Sequence, residues 1–263
     1  MKAAGKALIV LVFISIFSFI PAQVSSLWDQ TGARGLVCEA LAADTPVVPK
    51  DADEPAEEAT ASISDPLEGM NRALFTFNDK FYFWVLKPGC TLYAAYFPPG
   101  VRTSVRNAFA NFHFPIRFVN NLLQGKFKGA GIELARFTIN STMGCGGLFE
   151  VANKDFNLPA QNEDFGRTLG HWGVNHGFYV VWPFLGPSSL RDTFGLAGDS
   201  AADPATWIVP ELWQDAAIKS GNVINNTSLK IGEYEDFKKS AIDPYVSMRE
   251  AYIQYRAKDG IDD

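Results

Sequence analysis

The chain is poor in the residues that carry covalent and metal chemistry. Its 263 residues include three cysteines and three histidines. His171 and His176 stand five apart, a poor spacing for one helical face, and no cysteine or acidic cluster joins them or His113, so a metal centre has little support. No Gly-x-Ser-x-Gly elbow is present, which argues against a serine hydrolase. Gly144-Cys145-Gly146-Gly147 is glycine-rich, but no strand pattern precedes it and no Lys-Ser/Thr follows, so a phosphate-binding loop is disfavoured. Positive charge is not in excess either: 23 basic residues face 29 acidic ones, for a formal charge of −6. The acids gather between Asp44 and Glu68, where eight oppose Lys50 alone, whereas from Gly69 onward 19 bases balance 19 acids. A balanced folded part has no basic footprint for nucleic acid. No cofactor motif is legible.

Long apolar runs are also scarce. The N-terminal run Ala7 to Ile20 follows Lys2 and Lys6 and precedes small residues up to Ser26. That order is the order of a signal peptide, and the run is short for a span of about 20 residues. Residues 1–26 are therefore read as a signal peptide, with an uncleaved anchor as the alternative. From Leu41 to Ser64 the composition shifts to Ala, Pro, Thr, Asp and Glu, too poor in large apolar side chains to offset ordering entropy, and residues 27–64 are read as a disordered linker. Within it, Cys38 is a candidate for lipidation, although Val37 before it is not small. Cys90 and Cys145 either pair in an oxidising compartment or stay as free thiols. A folded domain is expected over 65–257, with 258–263 as a tail.

Aromatic and apolar residues, by contrast, are plentiful, with 21 phenylalanines. Asp65-Pro66-Leu67-Glu68 reads as a capping box with proline at the first helical position. Leu67, Met70, Leu74, Phe77, Phe81 and Trp84 follow at helical spacing, and Phe83 and its neighbours make the last turn apolar all round until Pro88-Gly89 ends it. A helix of that kind is either deeply buried or faces lipid. Three further stripes follow: Val101 to Phe112, then Ile116, Val119, Asn120 and Leu123, then Glu133 to Met143. The glycines at 144, 146 and 147 suit a hinge, helix resumes over Leu148–Ala152, and 153–164 read as a loop.

The stretch Phe165–Asp192, FGRTLGHWGVNHGFYVVWPFLGPSSLRD, organises the rest. Glycines at 166, 170, 173 and 177 give one helical face a flat stripe that lets a backbone or an acyl chain approach closely. Pro183 in the apolar run beyond argues against a central strand. Ser188 is placed to cap a helix carrying Arg191 and Phe194, Asp203-Pro204 opens another, Leu212–Ile231 is helical, and Asp243-Pro244 starts a last helix through Tyr255. Asp192, Asp199 and Asp203 are more simply caps than catalytic pairs. The fold class is all-α. Candidate lipid or membrane contacts are Phe81, Phe83, Trp84, Phe178, Tyr179, Trp182 and Phe184. No catalytic residue is assigned.

Five ordered segments resemble the VacJ/MlaA outer-membrane lipoproteins: DPLEGMNRALFTFN at 65–78, FVNNLLQG at 118–125, GCGGLFEVA at 144–152, the 165–192 stretch, and DPYVSMREAYIQYR at 243–256. The resemblance spans nearly the whole folded part. It implies one ring- or disc-like helical domain seated in the periplasmic leaflet of the Gram-negative outer membrane. It further implies removal of phospholipid from that membrane through an amphipathic channel, working with a porin trimer and a soluble periplasmic lipid carrier. Gly144, Gly146 and Gly147 would lie at a mobile hairpin beside the channel, so Gly146→Pro is expected to stiffen it and change lipid flux without unfolding the protein. A late, poorly preceded Cys38 departs from the family pattern. Two other classes stay open: a porin-associated assembly lipoprotein without transport activity, and a lipid-hydrolysing enzyme.

Overall fold

A computed structural model describes residues 63–209 and 211–257. The residues read as a signal peptide, nearly all of those read as a linker, Cys38 and residues 258–263 lie outside them. Fold begins two residues earlier than the sequence suggests: Ser64 O accepts from Tyr179 N at 3.0 Å, and Ile63 packs on the core. The elements in order are α1 (Glu68–Phe81), a π-helical turn (Tyr82–Leu86), α2 (Lys87–Tyr96), α3 (Pro99–Phe112), α4 (Phe114–Leu123), α5 (Phe127–Thr142), α6 (Val151–Phe156), α7 (Phe165–His171), β1 (Tyr179–Trp182), β2 (Gly186–Ser189), α8 (Leu190–Ala202), α9 (Pro204–Ile208), α10 (Leu212–Leu229), α11 (Glu233–Ser240) and α12 (Pro244–Ala257).

The order of packing closes on itself. From α1 the chain continues through the π turn into α2, α2 packs on α10, and α10 on α3; α3 meets α4, α4 meets α8, α8 meets β2, and β1 returns to α1. A helical ring results, interrupted by one antiparallel hairpin with Val180 opposite Ser188 and Trp182 opposite Gly186. Among the described residues no helix is long and apolar enough to cross a membrane.

Several local readings change. Asp65 does not cap α1, whose N-cap Leu67 makes no side-chain bond. Asp65 instead accepts from Asn71 Nδ2 at 2.7 Å, from Arg249 at 3.2 Å and from the Tyr245 hydroxyl. Pro88-Gly89 does not end the helix. The π turn lets Lys87 N donate to Tyr82 O, and Pro88 then falls in the first turn of α2, where a missing N–H is tolerated. Pro183 sits in the hairpin turn rather than in a strand, so two short strands form where none was assigned. Ser189, not Ser188, caps α8 through Asp192 N. Asp203 caps α9 as read, whereas Asp192 and Asp199 are buried in polar networks.

The glycine stripe is realised in part. Gly166 and Gly170 lie in α7, but Gly173 and Gly177 have positive φ beyond its end. A Cβ at Gly195 of α8 would stand 2.5 Å from Gly166 N, so it is another helix backbone that uses the closeness of Gly166. Cys90 and Cys145 do not pair. Cys90 is buried, with its thiol against Ile224 O and burial pushing it up to about 12, and Cys145 is exposed.

Candidate functional site

The polarity of the ring is reversed. On α4, Asn120 and Asn121 are buried together with the following Gln124, while Val119, Leu122 and Leu123 face outward. On α3, Arg102 and Asn111 are buried and Val101 and Phe112 exposed; on α5, Glu133, Arg136 and Asn140 are buried and Leu134 and Phe137 exposed. Much of each apolar stripe legible from periodicity thus lies on the exterior. Among the described residues, buried polar and charged side chains outnumber buried apolar ones. In a water-soluble protein this arrangement would forfeit the main driving force of folding. Polar groups inside and apolar groups outside are what a hydrocarbon surrounding requires.

The buried polar groups are bonded to one another. Asp199 Oδ1 accepts from Asn120 Nδ2 and from Phe165 N, both at 2.9 Å, and Thr168 Oγ1 donates to Asn120 Oδ1 at 2.8 Å. That cluster ties α4, α7 and α8. Burial and the Asp164 carboxylate push Asp199 up to about 8. Beside it, Arg256 of α12 reaches Asp164 at 2.7 Å and Asp192 at 2.9 Å. Against burial, Arg256 and Arg191 hold the Asp192 carboxyl below the usual carboxylate range. A second cluster joins α2, α3 and α10: Tyr93 Oη donates to Asn225 Oδ1, Asn225 Nδ2 to Arg102 O, and Arg102 to Ser228 Oγ. On α5, Glu133 receives Arg117 Nε at 2.8 Å and Gln161 N at 2.7 Å.

The glycine turn after α5 borders a small cleft of mixed character, lined by Asn107, Asn111, Arg117, Arg136, Asn140 and Glu150 together with Ala110 and Phe137. Cys145, Gly146 and Gly147 all have positive φ, and a Cβ on Gly144 would stand 2.3 Å from Phe149 O. Gly146 N donates to Ser141 O and Gly147 N to Asn140 O. At φ +73° and with that N–H in use, position 146 cannot take proline, whose φ is fixed near −65°. The expectation that Gly146→Pro leaves the fold intact is therefore corrected.

The seven aromatic candidates do not share one environment. Phe81, Tyr179 and Phe184 line an apolar cavity of about 70 Å³. Tyr179 is a core residue against Tyr245 and Tyr252, and within the fold it can meet a ligand only from that cavity. Trp84 is 75% exposed, and Trp182 is also exposed. Phe83 lies under Lys87 and Lys238 at 5.5 and 5.0 Å, and Phe178 is half-buried. His176 is half-buried, and burial together with Arg191 lowers its pKa from the ordinary imidazole value. Among the described residues no group of three or more His, Cys, Asp and Glu is placed to hold a metal ion. Reading the sequence for apolar stripes missed the polar interior, although FVNNLLQG and GNVINNTS set asparagines at inward positions inside apolar surroundings.

The profile of the MlaA lipoprotein family matches residues 63–259. This chain belongs to the MlaA lipoprotein family. It is 32% identical over 194 residues to the intermembrane phospholipid transport system lipoprotein MlaA of Shigella flexneri, covering 73% of this chain and 76% of the relative. It is 31% identical over 203 residues to the protein of the same name from Haemophilus influenzae, covering 75% and 80%. A solved structure described as the structural basis for maintenance of bacterial outer membrane lipid asymmetry superposes with a TM-score of 0.66 at 31% identity, over 74% of this chain and 98% of that one. The MlaA match thus takes in every element of the ring.

Proposed function

We propose that the protein removes phospholipid from the outer membrane and passes it to a soluble periplasmic carrier, so maintaining lipid asymmetry. It would sit in the periplasmic leaflet beside a porin trimer. The reversed polarity carries this reading. A phospholipid leaving a bilayer needs a path for its charged headgroup through a region where unpaired polar groups are costly, and a ring with an apolar exterior and a bonded polar interior supplies one. The names of the Shigella flexneri and Haemophilus influenzae relatives, which concern phospholipid transport between membranes, point the same way.

The test is native mass spectrometry of the full chain in mild detergent, followed by incubation with a purified periplasmic lipid carrier. Intact phospholipid bound to the protein and then found on the carrier is the expected result. A protein that holds porin and no lipid would replace transport by an assembly role, and release of free fatty acid would mean hydrolysis.

A further inference from the structure

The cavity of about 70 Å³ lies between α1, the π turn, the hairpin, α10 and the helices that follow it. It has a strained wall. Phe184 adopts φ +65°, a conformation that a bulky residue rarely takes and that persists only where its surroundings impose it. Asn78 imposes it by accepting from Phe184 N at 2.7 Å and donating to Trp182 O at 2.9 Å. The ring so placed meets Phe77 at 5.1 Å and Phe81 at 4.8 Å, edge to face.

Three of the polar residues of the lining are engaged elsewhere. The hydroxyl of Tyr82 donates to Glu235, that of Tyr234 to Asp79, and both amide atoms of Asn78 are held by the hairpin turn. The remaining lining brings two further hydroxyl-bearing residues, Tyr179 and Thr227, beside a majority of apolar ones such as Leu86, Val181 and Val223. These side chains offer a guest little hydrogen bonding, so neither a headgroup nor a water cluster suits the space. Phe77, the outer member of the aromatic trio, is exposed and packs on Phe184 of the lining, so the trio runs from the surface to the cavity wall.

We propose that this cavity seats a short segment of one acyl chain of a bound phospholipid, entering past Phe77, Phe81 and Phe184. The seat rests on the phospholipid reading above and adds to it a fixed place for a tail, distinct from the polar interior. The occupant is an alkyl chain because the lining selects for apolar, weakly shaped guests.

The experiment uses the full chain in detergent with a phosphatidylcholine brominated midway along its chains, located by anomalous scattering from crystals and counted by native mass spectrometry. Bromine between Phe184 and Val223 is expected, with brominated lipid retained at least tenfold less by Val223→Phe, which fills the space. Phe184→Gly keeps the left-handed backbone and enlarges the cavity, and is expected to retain the lipid. Both variants are checked for wild-type thermal unfolding in detergent, and if Val223→Phe fails to fold, the bromine position in the wild type decides. Transfer to the periplasmic carrier is measured in the same samples. Lipid that is transferred while no bromine enters the cavity overturns the seat and leaves the transport reading standing. Occupation by free fatty acid but not by the diacyl lipid also overturns it. If no lipid is bound or transferred at all, the transport reading falls and the seat falls with it.

Discussion

Asn71 shows how one side chain can hold two elements together. It is fully buried on α1, its Nδ2 donating to Tyr179 O at 3.0 Å and its Oδ1 accepting from Val181 N at 2.9 Å, so the amide stands where a neighbouring strand would. Asn71→Ala leaves that backbone N–H and C=O without partners. The expected loss is about 2–4 kcal/mol, from two buried groups at 1–3 kcal/mol each with partial relaxation, read as a lower urea midpoint in detergent. A loss under about 0.5 kcal/mol would mean that water replaces the amide. The motif DPLEGMN was legible as a helix start, yet its Asp65 and Asn71 face inward to bonds more than a hundred residues away, which no local spacing encodes. The glycine turn separates its members in the same way. At Gly146 a Cβ meets open space, and only the positive φ opposes alanine, at about 1–2 kcal/mol. At Gly147 a Cβ would also stand 2.6 Å from Asn111 Cβ, so Gly147→Ala should destabilise clearly more than Gly146→Ala in parallel melts. Equal losses would show that the turn relaxes freely, as a hinge does.

At the scale of elements, the junction of α4, α7 and α8 depends on the protonation of one carboxyl. Asp199 is buried, and burial together with Asp164 pushes it up to about 8. In the unfolded chain it ionises near 3.9. The folded state therefore keeps a proton that the unfolded state releases, and this group makes stability fall as pH rises from about 4 until it levels off above about 8. Asp199→Asn can still accept from Asn120 and Phe165 N through its carbonyl oxygen and cannot ionise. The expected outcome is a flatter melting curve between about pH 5 and pH 8, and a gain of about 1 kcal/mol or more at the upper end. Parallel slopes for variant and wild type would show that Asp199 is ionised in the fold. Helix positions were largely readable from capping signals and periodicity. The continuation past Pro88 was not, because a π turn shifts the hydrogen-bond register ahead of the proline and removes the conflict that would stop an ordinary helix. The hairpin escaped for a related reason, since Pro183 falls in its turn.

The whole molecule reverses the usual inference from apolar periodicity. A stripe recurring every three or four residues shows only that one face avoids water, not whether protein or lipid covers it. Here asparagine, arginine and acids hold the ring together from within, while Trp84, Leu92, Tyr96 and Phe127 stand exposed outside, where the proposed function would have lipid cover them. Composition hinted at this through many phenylalanines beside buried-type asparagines, but only the packing order separates inside from outside. The distinction has a direct consequence. Trp84 is 75% and Leu92 61% exposed, so replacing both by glutamate removes little internal packing and should leave unfolding in detergent within about 1 kcal/mol of wild type. Seating in a bilayer should suffer much more, because burying such side chains is worth about 1.5–3 kcal/mol each. The double variant is expected to lose at least tenfold in partition to phospholipid vesicles on flotation. If it floats as the wild type does, that arc of the ring faces water or a protein, and the lipid-facing surface must begin farther round, at α5 and the outward residues of α4.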